Sequence, residues 1–260
     1  MNNVDPTGKV FDTVWDIGNE ARSRNLKETI NILIRNKNII MNDSDILFDQ
    51  IILELTSDVF FVDFRFRKRD NSFCRKTALG KDIIMLDHWI DGYNLIIYPQ
   101  YLVRYDSLRK WFEKFSFKTK RDQRDGVYVG FSGELLGSQD KYSFELNKSN
   151  YLIEINRLRT CLKSNGTLVF NAYSSLEKAY NLEIEPIFDG IKELPDIGAD
   201  WFFENLTLCR LVHPENYERL KEIHLKQARY MYDRGEPNIT AYYDKLDEIL
   251  TYLENLDLKG

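Results

Sequence analysis

Several signatures are missing from this 260-residue sequence, and each absence narrows the field. Only three cysteines are present, Cys74, Cys161 and Cys209, widely separated and without CxxC spacing, which argues against a disulfide framework and a structural zinc site. Histidine is equally scarce. His88, His213 and His224 leave little material for a metal centre or a histidine-based nucleophile, and no metal is predicted. No apolar run approaches the ~18 residues of a membrane span, and the opening MNNVDPTGK lacks the basic and apolar regions of a signal peptide, so a cytoplasmic protein without membrane contact is expected.

What is present is a core. Apolar residues make up 43% and aromatics 13% of the chain, enough for one large domain. The net charge is −5, unevenly distributed. A basic run holds Arg65, Arg67, Lys68, Arg69, Arg75, Lys76 and Lys81 against Asp70 alone, and a second spans residues 114–124. Residues 233–257 are acidic. Phosphate binding depends on a local patch and not on the total, so loops 65–81 and 114–124 are candidate RNA or DNA contacts, with Arg65, Arg67, Lys68, Arg69, Arg75 and Lys76 as named residues. Phe64, Phe66 and Phe73 add rings suited to stacking on single strands. The plainer reading is a pair of solvated loops, with Phe64 and Phe66 on one face of a strand.

Periodicity suggests alternation of helix and strand. Asp43-Ser44-Asp45 caps a helix over 46–55, Val59 to Phe66 reads as a strand, and Ile83 to Leu86 and Asn94 to Tyr98 are strands around Asp91-Gly92. Tyr151, Ile155, Leu158 and Leu162 form the inner stripe of a helix that Asn165-Gly166 stops, and Thr167 to Phe170 follows as a buried strand. Trp201 to Val212 reads as another strand, and helices follow His213-Pro214 and Thr240. The expected fold is α/β, a mostly parallel Rossmann-like sheet with helices on both faces over residues 1–212, a basic insertion over about 67–92, and a helical extension over 213–260.

Two segments carry a family resemblance. LRTCLKSNGTLVFNAYSS resembles the late helix, turn and strand of class I AdoMet-dependent methyltransferases, and Asp12-Thr13-Val14-Trp15-Asp16-Ile17-Gly18 is similar to the start of that family's first motif. The resemblance implies S-adenosylmethionine as cofactor, with Asp16 and Gly18 lining its pocket, Asp43 or Asp45 holding the ribose, and Glu134 or Asn171 facing a methyl acceptor. Asn19-Glu20-Ala21-Arg22 follows Gly18 with no second glycine, so the alternative is a non-catalytic interaction or regulatory subunit with a protein partner. A third reading is a metal-dependent nuclease drawing on Asp58, Asp63, Glu145 and Glu154. Gly130 to Gly137 is a further loop candidate at a strand's end.

Overall fold

The structure is a computed structural model that describes residues 43–109, 136, 141–191, 199–235 and 243–255. Helix α1 runs through 43–56, followed by a 3₁₀ turn, Val59–Phe61. Five strands come next: β1 Arg65–Arg67, β2 Ser72–Lys76, β3 Gly80–Asp91, β4 Asn94–Tyr105 and β5 Tyr142–Glu145. The remainder is helical: α2 Tyr151–Ala172, α3 Leu176–Glu183, α4 Glu185–Phe188, α5 Ala199–Val212, α6 Tyr217–Asp233 and α7 Leu246–Asn255.

The sheet corrects the expected fold. Its order is β1-β2-β3-β4-β5 and every pairing is antiparallel, a meander and not a parallel Rossmann-like sheet. The misreading has two local origins. Thr167–Phe170 is the last part of α2, because Leu162, Gly166, Val169 and Phe170 continue the buried helical stripe of Tyr151, Ile155 and Leu158. A short apolar run fits a strand or a buried helix equally well, and here Gly166 packs instead of stopping: a Cβ there would lie 3.2 Å from Phe60 and 3.4 Å from Phe170. Trp201–Val212 belongs to α5, whose residues Phe202 to Cys209 are all buried, Glu204, Asn205 and Thr207 among them, so its polar residues mark no solvent face that would reveal the helical period. Within Val59–Phe66 a 3₁₀ turn precedes the short β1, with Asp58 accepting from the Phe60 N–H at 2.8 Å as its cap.

Strand alternation divides the sheet into two faces. Phe73, Ile84, Leu86, Leu95, Ile97, Tyr101, Val103, Tyr105, Tyr142 and Phe144 share one face and join α1, α2 and the C-terminal helices in a single hydrophobic core. Two tyrosines tie β4 to α2: the Tyr101 hydroxyl donates to the Cys161 carbonyl at 3.4 Å and the Tyr105 hydroxyl to the Tyr173 carbonyl at 2.6 Å. On the opposite face Ile83, Ile96 and Leu102 are buried outside that core. Asp91 and Asn94 pair across a two-residue hairpin turn whose first central residue, Gly92, has φ +61. Among the described residues no helix is long and apolar enough to cross a membrane.

Two predictions follow from buried features. A Cβ at Gly80 would sit 1.9 Å from the Arg104 carbonyl oxygen, so Gly80→Ala is expected to cost more than about 2 kcal/mol in urea unfolding. His224 is fully buried against Phe202, ring centroids 4.4 Å apart, and burial pushes its pKa down to about 3. Below its unfolded value of ~6.5 the unfolded chain takes up a proton that the native chain refuses, so stability is lost as pH falls from there toward 3. Between pH 7 and 5 the wild type is expected to lose about 2 kcal/mol more than His224→Leu, measured by urea unfolding at both pH values.

Candidate interaction surfaces

The residues that the sequence marks for catalysis do not assemble into one site among the described residues. Asp16, Gly18 and Glu134 lie outside them, as do the loop 130–135 and the basic run 114–124. Asp43 and Asp45 are exposed on α1. Asn171 is exposed in the last turn of α2, not at a strand end, and its carbonyl accepts from Ser174 Oγ at 2.9 Å and Lys178 Nζ at 3.1 Å. The nuclease acids are dispersed as well: Asp58 pairs with Arg159 at 3.2 Å and Glu154 with Arg157 at 2.8 Å. Among the described residues no three His, Cys, Asp or Glu side chains gather in a way that could hold a metal ion.

The predicted basic residues divide by strand parity. Arg65, Arg67 and Lys76 project to the sheet face opposite the main core, where Lys76, Lys81 and Arg104 stand in register on neighbouring strands. Arg75 projects into the core side instead. It pairs with Asp82 at 2.6 Å and lies over the rings of Phe64, at 4.7 Å, and Phe170, at 5.4 Å. Burial pushes the Asp82 carboxyl up while its bond to Arg75 and the guanidinium charge oppose that shift. Asp70 pairs with Arg67 and, at 3.8 Å, with Arg69, while Lys68 reaches Asp49 at 3.1 Å and Arg104 reaches Asp106 at 2.7 Å. Much of the basic character visible in the sequence is therefore balanced by the chain's own carboxylates.

The two outermost strands differ at their outer sides. At β5 the Asn150 side chain acts as a substitute strand: its Oδ1 accepts from the Glu145 N–H at 2.9 Å and its Nδ2 donates to the Ser143 carbonyl at 2.8 Å. Asn150 stands at the N-cap of α2, yet its side chain makes no capping bond there. At the other edge β1 is three residues long and carries Arg65 and Arg67.

An apolar ridge follows α1. Ile46 and Leu53, seven residues apart on one helical stripe, are 54% and 73% exposed. Val59 and Val62, one 3₁₀ turn apart, are 79% and 76% exposed. Helix α2 runs beside α1, fixed by Lys148 to Gln50 at 2.7 Å and by Arg159 to Glu54 at 3.5 Å. Leu152, in the first turn of α2 and between Lys148 and Arg159 in the chain, is 73% exposed. The sequence shows Ile46, Leu53 and Leu152 only as ordinary members of helical segments and Val59 and Val62 as part of a strand, and the fold leaves all five exposed on adjoining elements.

No family model, curated protein or solved structure matches this chain. Its surfaces must be read from their own chemistry. A shallow groove of about 480 Å³ borders α2, lined by Tyr142, Asn156, Arg157, Thr160, Cys161, Ser164 and Asn165. Its polar groups largely satisfy one another: Asn165 Nδ2 donates to Cys161 Sγ at 3.2 Å, Thr160 Oγ1 to the Asn156 carbonyl at 2.8 Å, and Arg157 holds Glu154.

Removing the substitute strand is the direct test of the β5 edge. Asn150→Ala is expected to cost about 1–3 kcal/mol by leaving a partly buried N–H and carbonyl without their amide partner, measured by urea unfolding. Asn150→Asp keeps the acceptor and is expected to lose only part of that.

Proposed function

We propose that the chain is a non-catalytic protein-interaction module that receives a partner protein along the ridge of α1 and α2. The observation that carries this reading is the exposure of Ile46, Leu53, Val59, Val62 and Leu152 on adjoining elements. Isolated exposed aliphatics are ordinary on a protein surface, but a line of them more than half exposed is a feature that association would bury. Each side chain so covered contributes about 1.5–3 kcal/mol, offset by the cost of association. The Glu54–Arg159–Asp58 bridges crossing the ridge supply the polar register that an aliphatic strip lacks.

A photoreactive benzophenone residue at Val62 tests the proposal in cells that make the natural protein. One discrete cross-linked partner is expected, and binding of that purified partner should weaken at least about tenfold in Leu53→Asp with circular dichroism unchanged. No cross-link, or a partner indifferent to Leu53→Asp, would overturn the reading.

A further inference from the structure

We infer that the outer half of β3 is a second docking edge, one that takes an extended peptide segment by strand addition, with basic residues alternating with aliphatic ones. It rests on the sheet and is independent of the α1 ridge. β3 has twelve residues and pairs with β4 along its whole length, from Gly80 with Tyr105 to Asp91 with Asn94. β2 accompanies it only from Lys81 to Met85, and the last bond on that side runs from the Leu86 N–H to the Asn71 carbonyl at 2.9 Å. In an antiparallel ladder the backbone groups of successive residues turn to alternate sides. Asp91 closes the two-residue hairpin, so Asp87, Trp89 and Asp91 bond to β4 while Leu86, His88 and Ile90 turn toward the β2 side. Beyond Leu86 the backbone groups of His88 and Ile90 therefore face an edge that no described strand occupies.

β4 also runs beyond its described partner, since β5 pairs with it only as far as Ile97, but from Pro99 to Tyr105 it is mostly buried, and the contrast with that stretch and with the outer strands identifies this edge. β5 is closed by Asn150, and β1 is short and carries two arginines. The outer half of β3 instead presents Trp89 at 40%, Ile90 at 37% and, at the hairpin turn, Tyr93 at 76% exposure. An edge of that kind is a template for an added strand.

Side-chain parity specifies the occupant. Asp87, Trp89 and Asp91 share one face of the sheet, where Gln100 Nε2 donates to one Asp87 oxygen at 2.5 Å and Lys141 Nζ already lies 5.2 Å from the Trp89 ring centre, so an added strand meets the remaining carboxylate oxygens there and takes lysine or arginine on that face. His88 and Ile90 share the other face, where the His88 ring stacks on Phe48 at 4.0 Å, and the added strand places aliphatic residues there. The recognised ligand is therefore a strand of alternating basic and aliphatic residues, held by main-chain bonds.

The probe is an acetylated and amidated octapeptide of alternating lysine and valine, together with its fully N-methylated counterpart. On adding the first peptide to the whole chain, hydrogen exchange of the His88 and Ile90 amides is expected to slow at least about tenfold, while the Trp89 amide, already bonded to β4, stays as it was. The N-methylated peptide should bind at least about tenfold more weakly, and so should the first peptide with Ile90→Pro, which removes an outward N–H without touching the β4 ladder. Leu53→Asp should leave this binding unchanged, so failure here and failure of the ridge can be told apart. Unchanged exchange at His88 and Ile90 at millimolar peptide, protection of those amides in the chain alone because another of its segments occupies the edge, or equal binding of the N-methylated peptide would each overturn the inference.

Discussion

Where α2 crosses the sheet, Gly166 offers no side chain, and Phe60, Phe170 and Ile84 close over the notch within 3.6 Å of where a Cβ would be. That close approach brings the 3₁₀ turn, the helix and β3 together at one point. Phe170 and Phe64, ring centroids 6.1 Å apart, then form a ledge under Arg75, so a cation in β2 is accommodated against rings and paired with Asp82. Tyr101 and Tyr105 reach from β4 to the carbonyls of α2 farther along. A larger residue at Gly166 would separate these layers, and the buried hydroxyls would lose their acceptors with them.

The same arrangement decides what remains outside. Because α2 lies with its stripe of Ile155, Leu158 and Leu162 inward, Leu152 is left exposed on another face of the helix. Because β2 ends where β1 turns back at Asn71, the longer β3 continues without it. Both candidate docking surfaces are thus consequences of mismatched element lengths and of which helical stripe the core consumes. Neither depends on a catalytic group, and the two differ in chemistry: the ridge takes aliphatic surface through side chains, while the β3 edge takes a strand through its backbone.

Parts of this were legible in advance. The inner stripe of α2, the helix over 46–55, the β3–β4 hairpin around Asp91-Gly92 and the helix after His213-Pro214 follow from periodicity and turn chemistry, and the structure agrees with them. The parallel sheet was not there to be read. Part of its evidence was the pair of apolar-rich segments at Thr167–Phe170 and Trp201–Val212, and a segment whose apolar and polar residues alike are buried does not distinguish a strand from a helix surrounded by core. With both assigned to helices, the alternation that suggested a Rossmann-like order disappears, and the acceptor-facing role that the methyltransferase resemblance implied for Asn171 loses the strand end it required. Asn150 stands out in no sequence pattern, because its use as a substitute strand for β5 depends on a neighbour that only folding supplies.

The sequence by itself determined the local periods, the turns and the supply of buried apolar surface, because these depend on residues within a few positions of one another. The tertiary structure decided which apolar segments became helix, which face of the sheet each cation took, and which aliphatics and backbone groups stayed exposed. Those outcomes depend on partners distant in the chain, such as Phe60 against Gly166 and Phe170 against Arg75, whose meeting no local pattern encodes.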